Sequence, residues 1–223
     1  MRTFPIMLAG EGLRAVVVGG GPVGLRKAKA LLRAGADVTL VDPRPFAAET
    51  RDRPQFPRRK LGSVPSFRLR VICEPYRRGQ LRGARLVMAC TNDRELNRRI
   101  AADARAAGAL VNAADQPEDC DFLLPAVVRD GDVVVAIGTG GAAPALAAML
   151  KRGLRAAMPP RAGAFAAAVS GLRDKLRKDI PDIRRRMAVL RQLCGHDAYS
   201  RFVAGGRKAL LATAQQAIRR SLR

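Results

Sequence analysis

The sequence predicts an α/β protein: a doubly wound parallel sheet, then a β-hairpin region, then a C-terminal helical domain. Three observations predict it. A glycine-rich loop joins an apolar run at residues 15–18 to a helical repeat. Short apolar runs then alternate with helical connections as far as residue 112, the pattern of parallel βαβ units. From residue 151 the chain reads as helical, with breaks at Pro159-Pro160, near Pro181, at Gly195 and at Gly205-Gly206.

The first element carries the most chemistry. Ala15-Val16-Val17-Val18 reads as a buried strand, and Leu25, Ala28, Leu31 and Leu32 follow at helical spacing. Between them Gly19, Gly21 and Gly24 stand as G-x-G-x-x-G. Gly19 turns the chain, Gly21 leaves bare backbone for a pyrophosphate, and Gly24 lets helix and strand approach. Pro22 and Val23 open the helix, whose N-terminal N–H groups and partial positive charge suit an anion. A second strand at residues 37–41 leads into Asp42, 18 residues beyond Gly24. That is close to the spacing expected for a carboxylate on the ribose hydroxyls of a dinucleotide, the Rossmann pattern. A carboxylate there repels a 2′-phosphate, so NAD is expected over NADP. The plainer alternative is a glycine turn in a nucleotide-free unit, with Asp42 a solvated strand end.

Composition narrows the classes. The 223 residues are long enough for a substantial core, and with 4% aromatic residues and no Trp that core must be Val, Leu, Ile and Ala. The net charge is +22, and residues 151–223 hold 18 basic against four acidic residues. Such a surface attracts nucleic acid, a membrane or a polycarboxylate, and composition does not choose among them. Cys73, Cys90, Cys120 and Cys194 form no C-x-x-C pair, and the first two read as small apolar residues in or beside strands. The first ten residues lack a secretory pattern and the apolar stretches are too short to span a bilayer, so a reduced, cytoplasmic setting without membrane is expected.

Taken in order, Phe4 and Ile6 are expected to pack on the sheet edge. Residues 43–69 carry Pro43, Pro45, Pro54, Pro57 and Pro65, which exclude a regular helix or central strand and read as an exposed loop. Strands follow at 69–73, 86–90 and 110–112, with a helix from Arg94 that Asp93 is expected to cap. Ligands of such sheets bind beyond the carboxyl ends of strands, so Thr91, Asn92 and Asn112 are candidates to line the cofactor crevice. Two apolar runs at 122–128 and 133–137, joined by Asp130-Gly131, read as a hairpin. Gly138-Thr139-Gly140-Gly141 then opens a helix at Pro144, a second candidate anion cradle. Leu172, Leu176, Ile180, Met187, Leu190 and Leu193 recur at amphipathic spacing. Arg184-Arg185-Arg186 reads as a solvated face or an anion patch. His196 beside Cys194 offers two ligands and no third, so no metal site is expected. There is no Walker sequence, no defensible Ser-His-Asp set and no repeat.

The order of these motifs is itself specific: Phe4-Pro5-Ile6, the glycine loop, Ala89-Cys90-Thr91-Asn92-Asp93 with Asn97, Val111-Asn112-Ala113-Ala114-Asp115, Asp121-Phe122-Leu123-Leu124-Pro125-Ala126, and Thr139-Gly140-Gly141-Ala142-Ala143-Pro144-Ala145-Leu146. Over residues 3–152 the chain resembles the precorrin-2 dehydrogenase family, the dehydrogenase–ferrochelatase module of siroheme synthases; the tail matches more loosely. The resemblance implies NAD⁺-dependent oxidation of precorrin-2 to sirohydrochlorin, with Fe²⁺ insertion by several members and left open here. It implies a homodimer and three regions: a Rossmann domain at 1–115, a dimerisation region at 116–152 and a helical domain at 153–223. With no methyltransferase domain following, the free-standing form is expected.

The family's key carboxylate falls on Asp115, the candidate catalytic group; from the residues alone it is either that or a turn-capping acid. Thr139, Gly140 and Gly141 match the family's second glycine loop, and with Arg152 and Arg155 they are the expected substrate contacts. The loop departs from the family's S-T-G-G-x-S-P in lacking both serines, which puts substrate contacts and chelation in question. The competing class is an NAD-binding sensor whose basic tail binds nucleic acid. That reading requires a recognition helix, and none is convincing here, so nucleic acid is not the expected partner.

Overall fold

A computed structural model describes residues 2–44 and 69–221. The chain divides into two compact units, Met1–Leu124 and Pro125–Arg223. Most of the proline-rich stretch, residues 45–68, lies outside the described residues.

Among the described residues of the first unit, five strands form one parallel sheet: β1 (Arg14–Val18), β2 (Asp37–Val41), β3 (Leu69–Ile72), β4 (Leu86–Ala89) and β5 (Leu110–Ala113), in the order β3-β2-β1-β4-β5. Helix α1 (Pro22–Arg33) links β1 to β2, and α2 (Arg94–Ala106) links β4 to β5. Alternation along β1 explains why both faces are covered. Val16 and Val18 pack with Val87, Ile100 and Val111 on one side, whereas Ala15 and Val17 pack with Ala28, Leu31, Leu32 and Leu40 on the other. From β1 the chain winds one way to β2 and the other way to β4. The loops after β1 and β4 therefore flank the switch point where such sheets open a crevice. As expected, Asp93 caps α2 by accepting the Leu96 N–H at 3.0 Å.

Three local expectations fail. Phe4 and Ile6 do not pack on the sheet edge but are 86% and 61% exposed. The lead-in is anchored instead at buried Gly10, whose missing Cβ would lie 1.9 Å from the Ala34 carbonyl oxygen at the end of α1. Cys73 is exposed because β3 stops at Ile72. The apolar run at 122–128 becomes strand only from Ala126; Phe122 and Leu123 pack on the first unit's two cores, and Pro125 has no N–H for a ladder.

The second unit opens with the hairpin β6 (Ala126–Asp130) and β7 (Val133–Ile137), antiparallel with Asp130 opposite Val133. Its two-residue loop, Gly131-Asp132, places Gly131 at φ 55°, a left-handed conformation that glycine adopts freely. Helix α3 (Pro144–Ala157) packs on both strands. The tail forms α4 (Ala162–Ser170), α5 (Arg173–Asp179), α6 (Ile183–Leu193) and α7 (His196–Ser221), the last kinked at Gly206. Leu172, Leu176, Ile180 and Leu193 are buried together with Phe202 and Leu210. Met187, expected on that apolar face, is instead 44% exposed. A further break at Gly171-Leu172, which periodicity did not reveal, separates α4 from α5. No helix among the described residues is long and apolar enough to cross a membrane.

Candidate active site

The glycine loop is built by close approach. The Gly19 N–H donates to the Val41 carbonyl at 2.8 Å, and the Cys90 N–H donates to the Val18 carbonyl at 2.7 Å, so the loop sits wedged between the ends of β2 and β4. A Cβ on Gly19 would lie 2.4 Å from the Cys90 carbonyl oxygen, and one on Gly24 would lie 1.9 Å from the Gly19 carbonyl oxygen. A Cβ on Gly21 would meet nothing within 4 Å. Open space over bare backbone is what a pyrophosphate needs. Gly21 caps α1 without a side-chain hydrogen bond, Pro22 opens the helix, and its first turn holds no acid. The first-turn N–H groups, Val23 and Gly24 among them, have no intrahelical acceptor. The residues fit a dinucleotide.

Asp42 lies just past β2 and is 4% exposed. Its Oδ2 accepts the Gly20 N–H at 2.5 Å and Arg44 Nη2 at 3.1 Å; its Oδ1 accepts the Arg44 N–H at 2.9 Å and Arg44 Nε at 3.0 Å. The Arg44 guanidinium outweighs the opposing effect of burial and lowers the Asp42 carboxyl to about 2, so it is ionised at neutral pH. Arg44 is a site residue that sequence reasoning missed. The signal is the triplet Asp42-Pro43-Arg44: an Asp accepting the N–H two residues on makes an Asx-turn, and Pro43 pre-sets the backbone between them.

Beyond β4, Thr91 is half-buried and Asn92 exposed. Asn97, 2% exposed on α2, fixes this loop. Its Oδ1 accepts the Thr91 N–H at 3.1 Å and the Thr91 hydroxyl at 2.8 Å, and its Nδ2 donates to the Thr91 carbonyl at 3.0 Å. A single buried amide thus satisfies three backbone and hydroxyl groups at the strand end, and that holds Thr91 in place.

Beyond β5 the picture divides. Asn112 points inward: it is 7% exposed, its Oδ1 accepts Lys27 Nζ at 2.6 Å and its Nδ2 donates to the Phe122 carbonyl at 2.8 Å. Its amide therefore braces α1 and the 122 segment against β5. Lys27, also absent from the sequence reading, supplies that brace from the helix that opens with the glycine loop. The Cys90 and Cys120 thiols nearby are pushed up by burial, so both stay neutral and behave as small apolar groups.

Three residues past Asn112, Asp115 adopts φ 58° and is exposed. Its carboxylate makes no hydrogen bond or ion pair among the described residues. A turn-capping Asp would accept a backbone N–H, and among the described residues none is donated to it. A left-handed non-glycine residue costs roughly 1 kcal/mol, and such strain gathers at functional sites.

The second glycine loop belongs to the other unit. Gly140 and Gly141 take φ 62° and 84°. The Thr139 hydroxyl oxygen accepts the Ala143 N–H at 3.3 Å, supporting the start of α3 where Ala143 has no side-chain oxygen to do so. Arg152 and Arg155 are exposed on α3. Among the described residues no three His, Cys, Asp or Glu side chains gather as metal ligands.

A parallel sheet whose first strand runs through G-x-G-x-x-G into a helix, with an acid beyond the second strand, defines a dinucleotide-binding protein. The family model described as putative NAD(P)-binding matches residues 6–126, and the chain belongs to that family. Over 186 residues, 83% of the chain, it is 37% identical to a siroheme synthase of Chromobacterium violaceum and 36% identical to that of Methylococcus capsulatus. Each match covers 37% of the relative, so the chain spans a little over a third of the length of these curated relatives. Among solved structures it resembles SirC, precorrin-2 dehydrogenase, with a TM-score of 0.70 and 22% identity over 96% of this chain and 100% of that one. This likeness establishes a shared fold.

Proposed function

We propose that the chain catalyses NAD-dependent oxidation of precorrin-2 to sirohydrochlorin in siroheme formation. Asp115 carries the reading: a strained, exposed carboxylate past a strand end, without a hydrogen-bond or ion-pair partner among the described residues, in the unit that holds the glycine loop. The names of the similar proteins, siroheme synthase and precorrin-2 dehydrogenase, supply the substrate. The oxidation removes a hydride and a proton. When bound, the nicotinamide supplies the hydride acceptor. Gly19, Gly21, Pro22, Val23 and Gly24 hold the pyrophosphate, Thr91 and Asn92 border the crevice, and Asp115 accepts the proton or holds the reacting ring. Thr139, Gly140, Gly141, Arg152 and Arg155 are the proposed contacts for the carboxylates of the tetrapyrrole, which gives the basic second unit a use without nucleic acid. We place the protein in the cytoplasm.

The test is an anaerobic assay with precorrin-2 and NAD⁺, followed by the sirohydrochlorin spectrum. Sirohydrochlorin that forms only with NAD⁺ is the expected result, and none despite cofactor binding overturns the reading. Adding Fe²⁺ afterwards separates a bifunctional enzyme, which accelerates metal insertion over the enzyme-free control, from a dehydrogenase alone.

A homodimer is part of the proposal. On α3, Leu146, Met149, Leu150 and Leu154 recur at helical spacing yet are 44%, 52%, 40% and 42% exposed. A continuous apolar stripe left open on a helix seeks a partner surface. Light scattering after size exclusion should give twice 24.0 kDa for this chain. Leu150→Lys should shift it toward monomer, and a stable monomer of the unaltered chain counts against the dimer.

A further inference from the structure

Asp42 stands where the adenosine ribose of a dinucleotide is to be held, yet its carboxylate is fully engaged. An ionised carboxylate offers about four lone-pair positions. Four donors fill them: the N–H groups of Gly20 and Arg44, and Nε and Nη2 of Arg44. A ribose diol therefore cannot add to Asp42; it must replace something. The two N–H donors belong to the backbone of the glycine loop and the Asx-turn and cannot withdraw without breaking both. The guanidinium can. The Arg44 side chain is 72% exposed against 5% for Asp42, and beyond Asp42 it has no hydrogen bond or ion pair among the described residues. Because the guanidinium stays in solvent when it lets go, the exchange leaves no buried unpaired cation, and the ribose diol takes its place on the carboxylate.

The chemistry of the pair also alters selectivity. A bare acid at this position rejects a 2′-phosphate through like charge. Here the acid and the arginine sum to zero, and a guanidinium released from the carboxylate is a planar fork suited to phosphate oxygens. We propose that Arg44 is the selectivity residue of the dinucleotide site: it yields its place on Asp42 to the ribose diol and turns to the 2′-phosphate when one is present, so that NADP⁺ is admitted beside NAD⁺. The proposal rests on the dinucleotide-binding reading of the glycine loop and is independent of the tetrapyrrole substrate.

Calorimetric titration of the full chain with NAD⁺ and with NADP⁺ tests it without turnover. The unaltered protein should bind NAD⁺ more tightly, with NADP⁺ within about tenfold, because the paired acid repels weakly. Arg44→Ala should weaken NADP⁺ by roughly tenfold or more, and leave NAD⁺ unchanged or slightly tighter because the diol no longer competes with the guanidinium. Arg44→Lys, which keeps the charge and loses the fork, should fall between. Asp42→Ala should move the ratio the other way, since it removes the repulsion and frees Arg44. Circular dichroism confirms that each variant is folded. A ratio of affinities that Arg44→Ala and Arg44→Lys leave unchanged overturns the role of Arg44 while the dinucleotide site stands. Failure of the unaltered protein to bind either cofactor overturns both.

Discussion

Replacing Asp115 with Ala is expected to lower the rate of precorrin-2 oxidation at least ~100-fold, the usual scale for removing a general base. The informative variant is Asp115→Asn. Asn tolerates the left-handed region at least as well as Asp, so the turn at φ 58° should survive and the melting temperature should hardly move. Only the charge is lost, and the rate should still collapse, with NAD⁺ affinity by calorimetry intact. Asp115→Gly should relieve strain of about 1 kcal/mol and raise the melting temperature while abolishing turnover. Stability gained as activity is lost marks a residue held for function rather than for folding. A near-normal rate in Asp115→Asn would demote the residue to a turn position.

Gly24→Ala is expected to be among the most damaging single methyls in the first unit. Helix propensity alone predicts the opposite, because Ala in place of Gly inside a helix gains about 1 kcal/mol. Gly24 lies in the first turn of α1, and its added Cβ would stand 1.9 Å from the Gly19 carbonyl oxygen. That oxygen is backbone, and Gly19 is itself pressed against the Cys90 carbonyl, so neither can step aside. The helix must tilt away from β1 and take the pyrophosphate cradle with it. Overpacking of this kind costs about 1–3 kcal/mol, so a clear drop in melting temperature and loss of NAD⁺ binding are expected. Gly21→Ala is the control. Its Cβ meets open space, so the fold should be kept while cofactor affinity falls. Equal stability of Gly24→Ala and the unaltered chain would contradict the close packing of strand and helix.

The glycine loop and Asp42 carried the NAD reading, the family resemblance carried the substrate, and the apolar periodicity carried the sheet. Strand length, glycine spacing and the acid after β2 are local features, so βαβ units and the dinucleotide loop were legible in residues 14–42. The hairpin was legible for the same reason: Gly131 in a two-residue loop between β-branched runs admits little else. Amphipathic spacing likewise located the helical tail, although it placed Met187 in the core and missed the break at Gly171.

Tertiary structure decided what each polar side chain does. Asn112 stands near the end of β5, and which way such a side chain faces depends on what packs above it. Here Lys27, 85 residues earlier, reaches it from α1 and turns it inward. Asn97 became the lock on Thr91 because one turn of α2 brings its amide back over the end of β4. Asp42 was legible as an acid at the right distance from the glycines, but that Arg44 fills its lone pairs emerged only from the path of the chain through Pro43. Asp115 was marked by its motif, and its φ of 58° and the absence of a capping bond among the described residues came only from the structure. Periodicity reports how a residue sits relative to its neighbours in sequence. Hydrogen-bond partners drawn from distant elements are fixed only when those elements pack, and the assignments that changed were of that kind.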